Sequence, residues 1–500
     1  MKYILLLCFL PSVALAQSNH PVTNWQNMDI QIDGIFGIST ERTYKELLKK
    51  KGRLPVIVAV IDGGVDIEHP DLNPNIWTNV NEIPNNNQDD DANGYIDDIH
   101  GWNFMGSSKG SFHLDNIDLI RLLREERKKN PESLKCRQLQ ADLDSKRLPL
   151  KNVYERMKIQ RNSLMHLVNR LGKSNPTLSE LKRFRYRNED EAFTLSWLVR
   201  QIKADEKFLV NFENELVKFQ NQVDFISNIN YNPRANNHEY RKKYHGNSDC
   251  KGLEPSHGTH VAGIIAGIRS NKIGPVGVAD SVKIMVLRAI PDGDVLDEDL
   301  ANAIRYAADN GAKIINLSVG KFTFTNRDIV EQAIRYAQKK DVLIIHAAGN
   351  EGQLQEPGKR FPSRNYLNGC EAQSWIEVGA SGFTNDKNLA AWFSNFGKTM
   401  VDVYAPGVDI NSTYPENSYT RESGTSMAAP VVSGLAAIIR SCFPNMTAIE
   451  VKNVIMNSVR KVNHKVISPS GEMVEFKDLC RSGGIVNAYN AIILAEQNNK

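Results

Sequence analysis

The chain contains 500 residues, of which 41% are hydrophobic and 24% charged, and its formal net charge at pH 7 is +3. This is the composition of a globular protein, long enough for one large domain with an insertion or for two or three smaller domains. A net charge this small argues against a nucleic-acid partner and against electrostatic attraction to membranes.

The first residues, MKYILLLCFLPSVALAQ, carry a lysine, then an apolar run, then Ala14-Leu15-Ala16 before Gln17. This pattern is typical of a secretory signal peptide over residues 1–16, and its apolar run is too short to span a bilayer. No later segment has the roughly 20 apolar residues that a membrane helix needs. The sequence therefore predicts a secreted or periplasmic protein without stable membrane insertion.

Residues 17–50 form an N-terminal segment that is too short to fold alone. Its fragment GISTERTYKELL is predicted to be a helix that packs onto the rest of the protein. The β-branched run PVIVAVI then predicts a buried strand that ends on Asp62. Residues 51–106 are expected to form the first part of the main domain.

The acidic stretch QDDDANGYIDD, Gln88 to Asp98, alternates oxygen-bearing side chains around a glycine. The spacing is similar to that of an EF-hand-type calcium loop, whose alternate oxygen ligands surround a hard cation. The glutamate expected at the last ligand position is absent, because His100 stands there. Calcium binding and a solvated acidic turn both remain open. The candidate ligands are Asp89, Asp91, Asn93, Tyr95 and Asp97.

Residues 107–245 are rich in Lys, Arg, Glu, Gln, Asn and Leu and poor in Gly. A helix is predicted from Leu150 to Leu171, with Pro149 before it and Gly172 after it. A second helix carries an apolar seam at alternating steps of three and four residues, which is typical of helix-on-helix packing. We interpret the region as an inserted helical hairpin or bundle, either a solvated excursion or a surface that contacts a partner or the substrate. The seam residues are Leu209, Phe212, Leu216, Phe219 and Val223.

Residues 246–500 alternate apolar strands with amphipathic helices. KIMVLRAI is followed by DEDLANAIRYAADNG, and KIINLSVG by NRDIVEQAIRYAQKK, before VLIIHAAGN. This alternation indicates a parallel sheet covered on both faces. The predicted fold class is therefore α/β, a three-layer, doubly wound parallel sheet. In such folds, ligands bind at the carboxyl ends of the strands.

Two predicted helix starts carry residues suited to catalysis. PSHGTHVAGIIAG places His257 before a small-residue helix, and GTSMAAP places Ser426 at the start of another. A serine there is often only a helix cap, but unpaired N–H groups beside it would also stabilise an oxyanion. Its hydroxyl needs a base, which His257 can provide near neutral pH. The imidazole needs an acid to hold its tautomer, which Asp62 can provide.

The fragments VIDGGVD, HGTHVAG and GTSMAAP resemble the aspartate, histidine and serine motifs of the subtilases, the family of subtilisin-type serine endopeptidases. Three motifs in this order are far more specific than any one of them. The resemblance implies a subtilisin-like fold and a triad of Asp62, His257 and Ser426 that hydrolyses protein or peptide substrates through an acyl-enzyme. It also implies that His260, the second histidine of its motif, is structural.

The resemblance further implies a substrate cleft. In HAAGNEG, Asn350 takes the position of the side-chain donor to the oxyanion. The end of KIINLSVG would pair with the substrate backbone as an added strand. The AAG turn would line the primary side-chain pocket, and its small apolar walls suggest uncharged substrate side chains. These cleft residues are Ser318, Val319, Gly320, Ala347, Ala348 and Gly349.

A second calcium site is implied by the resemblance. Many subtilases bind calcium between the aspartate that closes an HPDL-like segment and a loop after the histidine helix. Here those are Asp71 and the loop SNKIGPVG, with Asn271 and the carbonyl of Ile273 as candidate ligands. Bound calcium would stabilise the native state without joining the chemistry.

The chain departs from the family pattern at Gly63, where a Ser or Thr hydroxyl usually helps to orient the carboxylate of the aspartate. Nearby, Asp66 and Glu68 are expected to be solvated or structural, and His69 is expected to have no catalytic role. The alternative function is a catalytically silent peptide-binding or scaffold protein, which the loss of a triad residue would favour, and none is lost. A nucleotide-binding protein is disfavoured, since no G-x-G-x-x-G follows the first strand.

Overall fold

The computed structural model describes residues 21–49, 51–235 and 244–499, so the predicted signal peptide of residues 1–16 lies outside the described residues. The strands are β1 Val56–Asp62, β2 Gly101–Asn103, β3 Gly106–Ser107, β4 Gly110–Ser111, β5 Val282–Arg288, β6 Ile314–Leu317, β7 Leu343–Ala347, β8 Trp375–Ser381, β9 Val403–Pro406, β10 Ile410–Tyr414, β11 Ser418–Glu422, β12 Arg460–Lys461, β13 Lys465–Ile467, β14 Met473–Glu475 and β15 Gly484–Ile485. The helices are α1 Thr40–Thr43, α2 Asp118–Lys129, α3 Leu134–Leu171, α4 Leu178–Arg183, α5 Glu189–Ala204, α6 Phe208–Asn221, α7 Ser256–Ala266, α8 Asp297–Asp309, α9 Arg327–Lys339, α10 Thr425–Cys442, α11 Ala448–Asn457 and α12 Ala488–Asn498.

In the described part of the chain, nine strands form one sheet in the order β12–β15–β9–β8–β7–β6–β1–β5–β2. Neighbouring strands are parallel, except for the antiparallel pair β12–β15 at one edge. Successive side chains of a strand point to opposite faces. In β1, Val58 and Val60 lie in the core with α7 and α10, whereas Ala59 and Ile61 lie in the core with α8 and α9. Helices therefore cover both faces, and the predicted three-layer α/β fold is confirmed.

The N-terminal segment packs onto the sheet. α1 continues as a π-helix over Tyr44–Leu48, so the fragment GISTERTYKELL is helical from its fourth residue to its end. The Tyr44 hydroxyl donates to the carbonyl oxygen of Val278 at 3.2 Å, and Trp25 is buried in the same core as β1. The predicted helix and its packing onto the domain are confirmed.

Helices α2 to α6 form the region that we call the helical insertion. One predicted boundary is wrong, because α3 runs through Pro149 instead of beginning after it. A proline removes one N–H donor and crowds the preceding turn. Helix-forming residues flank it, however, and Leu143 and Leu164 pack on either side of it in two small cores. This packing on both sides carries the helix through the proline. The predicted ends of the insertion, residues 107 and 245, remain a prediction.

Two sets of contacts tie the helical insertion to the sheet. Asn103 and Asn247 exchange main-chain hydrogen bonds of 2.9 and 3.2 Å where the chain leaves the sheet and returns to it. The buried ammonium of Lys321 lies 2.5 Å from the carboxylate of Asp118 in α2 and 2.6 Å from that of Asp297 in α8. These three charged residues, which we call the anchor group, join the insertion to the segment after β6.

Within the described residues, one helix is long and apolar enough to cross a membrane. This is α10, and 94% of it is buried inside the protein. It lies in the core beside α7 and against the sheet strands.

Candidate active site

The last residue of β1 and the second residue of α7 meet at the carboxyl end of the sheet. Nδ1 of His257 lies 2.9 and 2.8 Å from the two carboxylate oxygens of Asp62. Asp62 is 5% exposed and the His257 side chain 41% exposed, so the acid lies inside and the imidazole reaches the surface. Burial alone would lower the pKa of His257, but the charge and hydrogen bond of Asp62 raise it to about 9. A carboxylate at Nδ1 leaves Nε2 available to a reacting group.

At the position where the family pattern has a hydroxyl, the main chain orients the carboxylate. The N–H of Gly63 donates to Oδ1 of Asp62 at 2.8 Å. The next residue, Gly64, has a φ of 140°, and a Cβ on it would lie 2.1 Å from the carbonyl oxygen of Lys251. A Cβ on Gly258 would lie 2.1 Å from the carbonyl oxygen of Gly64. The turn after β1 thus needs glycine and brings the aspartate against the start of α7.

Ser426 is the second residue of α10 and contacts the end of β6. Its Oγ lies 3.5 Å from the carbonyl oxygen of Ser318, and Oγ of Ser318 donates to the carbonyl oxygen of Ser426 at 3.2 Å. β6 is the neighbour of β1 in the sheet, so the serine and the aspartate lie at the ends of adjacent strands. N–H groups in the first turn of a helix lack intrahelical acceptors. The serine hydroxyl therefore lies near main-chain donors and the positive end of the helix dipole.

The side chain of Asn350 is oriented by the first residue of α10. Its Oδ1 accepts from the N–H of Thr425 at 2.8 Å and from the Thr425 hydroxyl at 2.9 Å. An amide has one accepting and one donating end, so fixing Oδ1 also fixes the direction of Nδ2. A Cβ on Gly424 would lie 3.3 Å from that nitrogen. An N–H donor is thus held at the helix end that carries Ser426.

The two segments predicted to contact substrate lie next to this helix end. Ser318–Gly320 follow β6 and are half-buried. Ala347 ends β7, and Ala347 and Ala348 are buried. The N–H of Gly349 donates to the hydroxyl of Thr425 at 3.0 Å, which ties this segment to α10. The structure therefore brings both predicted segments to the same end of the sheet.

A buried histidine and glutamate beneath these segments were not predicted. His346 of β7 lies opposite Glu377 of β8, with Nδ1 2.9 Å from its carboxylate, and Nε2 lies 2.6 Å from the carbonyl oxygen of Val319. Burial alone would raise the pKa of Glu377, but the charge and hydrogen bond of His346 help to lower it overall. With acceptors at both ring nitrogens, His346 holds the carbonyl of Val319 in place. The signal in the sequence for this buried pair was a histidine in the apolar strand LIIHA and a glutamate in the apolar strand WIEVGAS.

The other acidic and histidine residues of the motifs make structural contacts. His260 is fully buried, with Nε2 3.0 Å from a main-chain carbonyl of β10, and burial lowers its pKa to about 4. His69 is also fully buried, and its Nδ1 accepts a main-chain N–H at 3.1 Å. Asp66 is buried and lies 2.8 Å from the ammonium of Lys251, whereas Glu68 is exposed.

Asp71 and Asn271, predicted as calcium ligands, are in contact. Nδ2 of Asn271 donates to Oδ1 of Asp71 at 2.6 Å. Among the described residues Oδ2 of Asp71 is buried and unpaired, with the Tyr419 hydroxyl near the carboxylate. A Cβ on Gly274 would lie 2.4 Å from Oδ2, so this glycine keeps the oxygen open to the loop that also contains Ile273. The buried, unpaired carboxylate oxygen fits a hard cation, whereas the Asn271 amide here presents its nitrogen to Asp71.

The acidic loop brings together a set of carboxylates that differs from the predicted one. Glu82, Asp91 and Asp98 place carboxylate oxygens within 4.8 Å of one another. Of the predicted ligands, Asp91 belongs to this group. Asp89 and Asp97 instead accept main-chain N–H bonds from the turn, at 2.8 to 3.1 Å.

Two further predicted ligands border this group. Nδ2 of Asn93 donates to Asp91 at 3.2 Å and to Asp98 at 3.0 Å. Tyr95 buries its ring against Trp102, with ring centroids 5.1 Å apart. Asp98 stands at the end of the acidic stretch, but Glu82 lies outside it, so the spacing could not identify Glu82.

Known proteins and a family model match parts of the chain. The family model described as "Subtilase family" matches residues 55–472. A thermophilic serine proteinase of Bacillus sp. (strain AK1) is 40% identical over 238 residues, which are 47% of this chain and 52% of that protein. Thermitase of Thermoactinomyces vulgaris is 36% identical over 237 residues, 47% of this chain and 74% of that protein. The chain thus spans about half the length of the first of these two relatives.

A solved structure of a protease from Pseudoalteromonas arctica is similar over nearly the whole chain. The match has a TM-score of 0.50 and 19% sequence identity, and it covers 95% of this chain and 99% of that one. At this identity the similarity concerns the fold.

Proposed function

The chain belongs to the subtilase family, and from this membership we propose that it is an exported serine endopeptidase that hydrolyses peptide bonds through an acyl-enzyme. The observation that carries the proposal is the 2.8 Å contact between Asp62 and Nδ1 of His257. This pair lies at the strand ends where Ser426 and Asn350 also lie, so the proposed acid, base, nucleophile and oxyanion donor share the carboxyl end of the sheet.

In the proposed reaction, Oγ of Ser426 attacks the carbonyl carbon of the scissile bond and its proton passes to Nε2 of His257. Asp62 stabilises the imidazolium that forms. The histidine then gives this proton to the leaving nitrogen, and the C–N bond breaks. A water molecule repeats the attack on the acyl-enzyme, which releases the acid product and returns the proton to the serine.

The tetrahedral intermediate would be stabilised by Nδ2 of Asn350 and by the main-chain N–H of Ser426. Because Thr425 holds Oδ1 of the amide, the donor is oriented before the substrate arrives. Preorganised donors of this kind each contribute roughly 3 kcal/mol, or about a hundredfold to a thousandfold in kcat. Replacing Asn350 with alanine is therefore expected to lower kcat by about this factor.

The substrate would be a protein or peptide that adds a strand along Ser318–Gly320. Its side chain before the scissile bond would enter between that segment and Ala347–Gly349. His346 would support this mode of binding, because its Nε2 contacts the carbonyl of Val319 and holds it in position.

We also propose two structural calcium sites. The first uses Asp71, Asn271 and the loop of Ile273, where the unpaired Oδ2 of the aspartate supports the assignment. The second uses the acidic loop around Asp91, whose carboxylate neighbours form a suitable donor set. Calcium would supply stability at both sites and take no part in bond cleavage.

Export rests on the signal pattern of residues 1–16 and would deliver the protein to the periplasm or the medium. A contact between the helical insertion and a partner stays a prediction.

Labelling of the purified protein with a small uncharged fluorophosphonate tests the proposed chemistry. The wild type should label and digest casein in calcium buffer, and the Ser426→Ala variant should do neither. Ser145→Ala, at an exposed position of α3, is the matched control and should behave as the wild type. If folded wild-type protein neither labels nor digests casein, the endopeptidase proposal fails and a silent peptide-binding protein is favoured.

A further inference from the structure

A guanidinium lies between the two segments that would form the primary side-chain pocket. A Cβ on Gly320 would lie 2.2 Å from Nη2 of Arg360, and one on Gly349 would lie 2.2 Å from Nη1. Glycine on both walls therefore leaves the space that the arginine occupies. The Arg360 side chain is 13% exposed, so the cation lies largely inside the protein rather than in solvent.

The guanidinium of Arg360 is only partly hydrogen-bonded to the described residues. Nη1 of Arg360 donates to the carboxylate of Glu351 at 2.6 Å. That carboxylate also accepts from Nδ2 of Asn395 at 2.5 Å, so it is held on the Gly349 side. Nε is buried and has no hydrogen-bond partner among the described residues. A guanidinium has five N–H donors, and leaving one buried and unpaired is unfavourable.

The unpaired nitrogen lies on the Gly320 side of the guanidinium, next to the segment along which the substrate would lie. Nη2 and Nε are the guanidinium atoms nearest to Gly320, whereas Nη1 and Cζ are nearest to Gly349. The edge formed by Nε and Nη2 matches the two oxygens of a carboxylate in a bidentate pair. The ring of Phe322, 59% exposed and 5.8 Å from Cζ, lies beside the guanidinium.

We propose that Arg360 is a specificity-determining residue that selects an acidic side chain, aspartate or glutamate, immediately before the scissile bond. The inference rests on the proposed endopeptidase function and names its substrate class. The small apolar walls of the pocket alone suggested uncharged side chains. Arg360 changes that expectation, because its guanidinium places a largely buried cation between the two pocket segments, and an acidic side chain would be attracted to this cation whereas a neutral one would not.

Glu351 provides a second test of the inference. Its carboxylate competes with the substrate for the same cation, so removing its charge should strengthen the preference for acidic side chains. Removing the charge of Arg360 should abolish that preference. The two substitutions therefore have opposite expected signs, which a purely structural role for this ion pair does not predict.

The test uses the full-length protein and quenched peptides that differ only in the residue before the cleaved bond, namely Glu, Gln, Asp, Asn, Ala or Phe. The wild type should cleave the Glu or Asp peptide with a kcat/KM roughly 10- to 100-fold above that of its amide counterpart, the range expected for a hydrogen-bonded charge. Arg360→Gln should reduce this ratio to about one, and Glu351→Gln should raise it. Arg137→Gln, an exposed position of α3, is the control that should leave the ratio unchanged.

Fluorophosphonate labelling of each variant separates the two proposals. If the wild type labels but cleaves acid and amide peptides equally, or prefers only Ala, the inference about Arg360 is wrong and the endopeptidase proposal stands. If the wild type does not label at all, both proposals fail. Should Arg360→Gln not fold, Arg360→Lys provides the test, because it keeps the charge without the bidentate edge. It should then show an intermediate ratio, and a ratio equal to that of the wild type would contradict the inference.

Discussion

In α10, nearly every side chain from Thr425 to Ser441 is buried, whereas in α6 only Phe212 and Leu216 are buried within a helix of similar length. The first helix lies in the continuous core of the sheet, and the second lies in the helical insertion, whose apolar cores are small. The sheet is held mainly by the burial of apolar surface. The insertion has only these small cores, and its exposed ion pairs contribute little each, so the anchor group is the main buried charged contact described here between the insertion and the sheet.

The two regions also differ in the residues that they contribute to the proposed active site. The residues proposed for catalysis all follow strands or begin helices of the sheet, where dense packing holds them in position. The helical insertion contributes none of them, but its α2 reaches Lys321, the residue after the substrate segment Ser318–Gly320. Changes in the sheet should therefore alter catalysis, and changes in the insertion should not, unless they touch the anchor group.

The largest effect is expected for Asp62→Asn. A neutral amide cannot hold the tautomer of His257 or stabilise its imidazolium, so kcat/KM should fall by roughly 10,000-fold. Asp144→Asn makes the same change at an exposed position of α3 and should leave kcat/KM unchanged. Steady-state kinetics on a peptide substrate would measure both, and similar losses in the two variants would contradict the division between sheet and insertion.

The next effect is expected for Lys321→Met, which leaves the buried carboxylate of Asp297 without its cation and that of Asp118 with Arg121 alone. Removing one partner of a buried ion pair typically costs about 3–5 kcal/mol of the free energy of unfolding. The same substitution at Lys158, an exposed partner of Glu155 in α3, should cost at most about 0.5 kcal/mol.

Unfolding in urea would measure the two values. A loss at Lys321 no larger than that at Lys158 would show that the anchor group does not hold the insertion to the sheet.

The pH dependence provides a third comparison. His257 must be neutral to accept a proton and its pKa is raised to about 9, so kcat/KM should rise by roughly tenfold per pH unit below that value. Stability has the opposite sign, because the Asp62–His257 ion pair contributes fully below about pH 6.5 and its contribution is lost as pH rises through about 9.

A pH–rate profile and melting temperatures across this range would measure both trends. The control is His166→Gln in the helical insertion, where the histidine is 68% exposed, and it should leave the rate profile unchanged. A rate that is already constant from pH 7 upward would contradict the raised pKa.

The smallest effect is expected for calcium removal. At free calcium 100 times the dissociation constant, binding adds about 2.7 kcal/mol to the free energy of unfolding, and EDTA removes it. Asp71→Asn should reduce the fall in melting temperature on EDTA treatment, whereas Asp142→Asn, exposed on α3, should not. A melting temperature that EDTA does not change would rule out both calcium sites.

The sheet and the paired acid and base could be predicted because their signals are local. A β-branched run that ends in Asp62, and a small-residue helix that opens with His257, can each be recognised within about a dozen residues. The residue after the aspartate shows that prediction from a local motif also has limits. Gly63 lacks the hydroxyl of the family pattern, but its main-chain N–H orients the carboxylate, and no sequence pattern reports a main-chain donor.

The remaining features depend on contacts between distant parts of the chain. Lys321 and Asp118 are 203 residues apart, and nothing near either one predicts that they share a buried site. Arg360 lies in the fragment GKRFPS, which by its sequence resembles an exposed turn. Its burial depends on Gly320 and Gly349, which only the fold brings beside it. Pro149 failed as a boundary for a related reason, since tertiary packing on both sides outweighs the local preference.

The main-chain pair formed by Asn103 and Asn247 closes the polypeptide between them into a loop on the edge of the sheet. The entropy lost on closing a flexible loop grows slowly, by about 0.6 kcal/mol for each doubling of its length. Lengthening or shortening an unpacked part of the segment between these two asparagines therefore changes the entropic cost of closure very little. The edge of the sheet thus serves as an attachment point at which added chain has a small entropic cost, provided that the anchor group is kept.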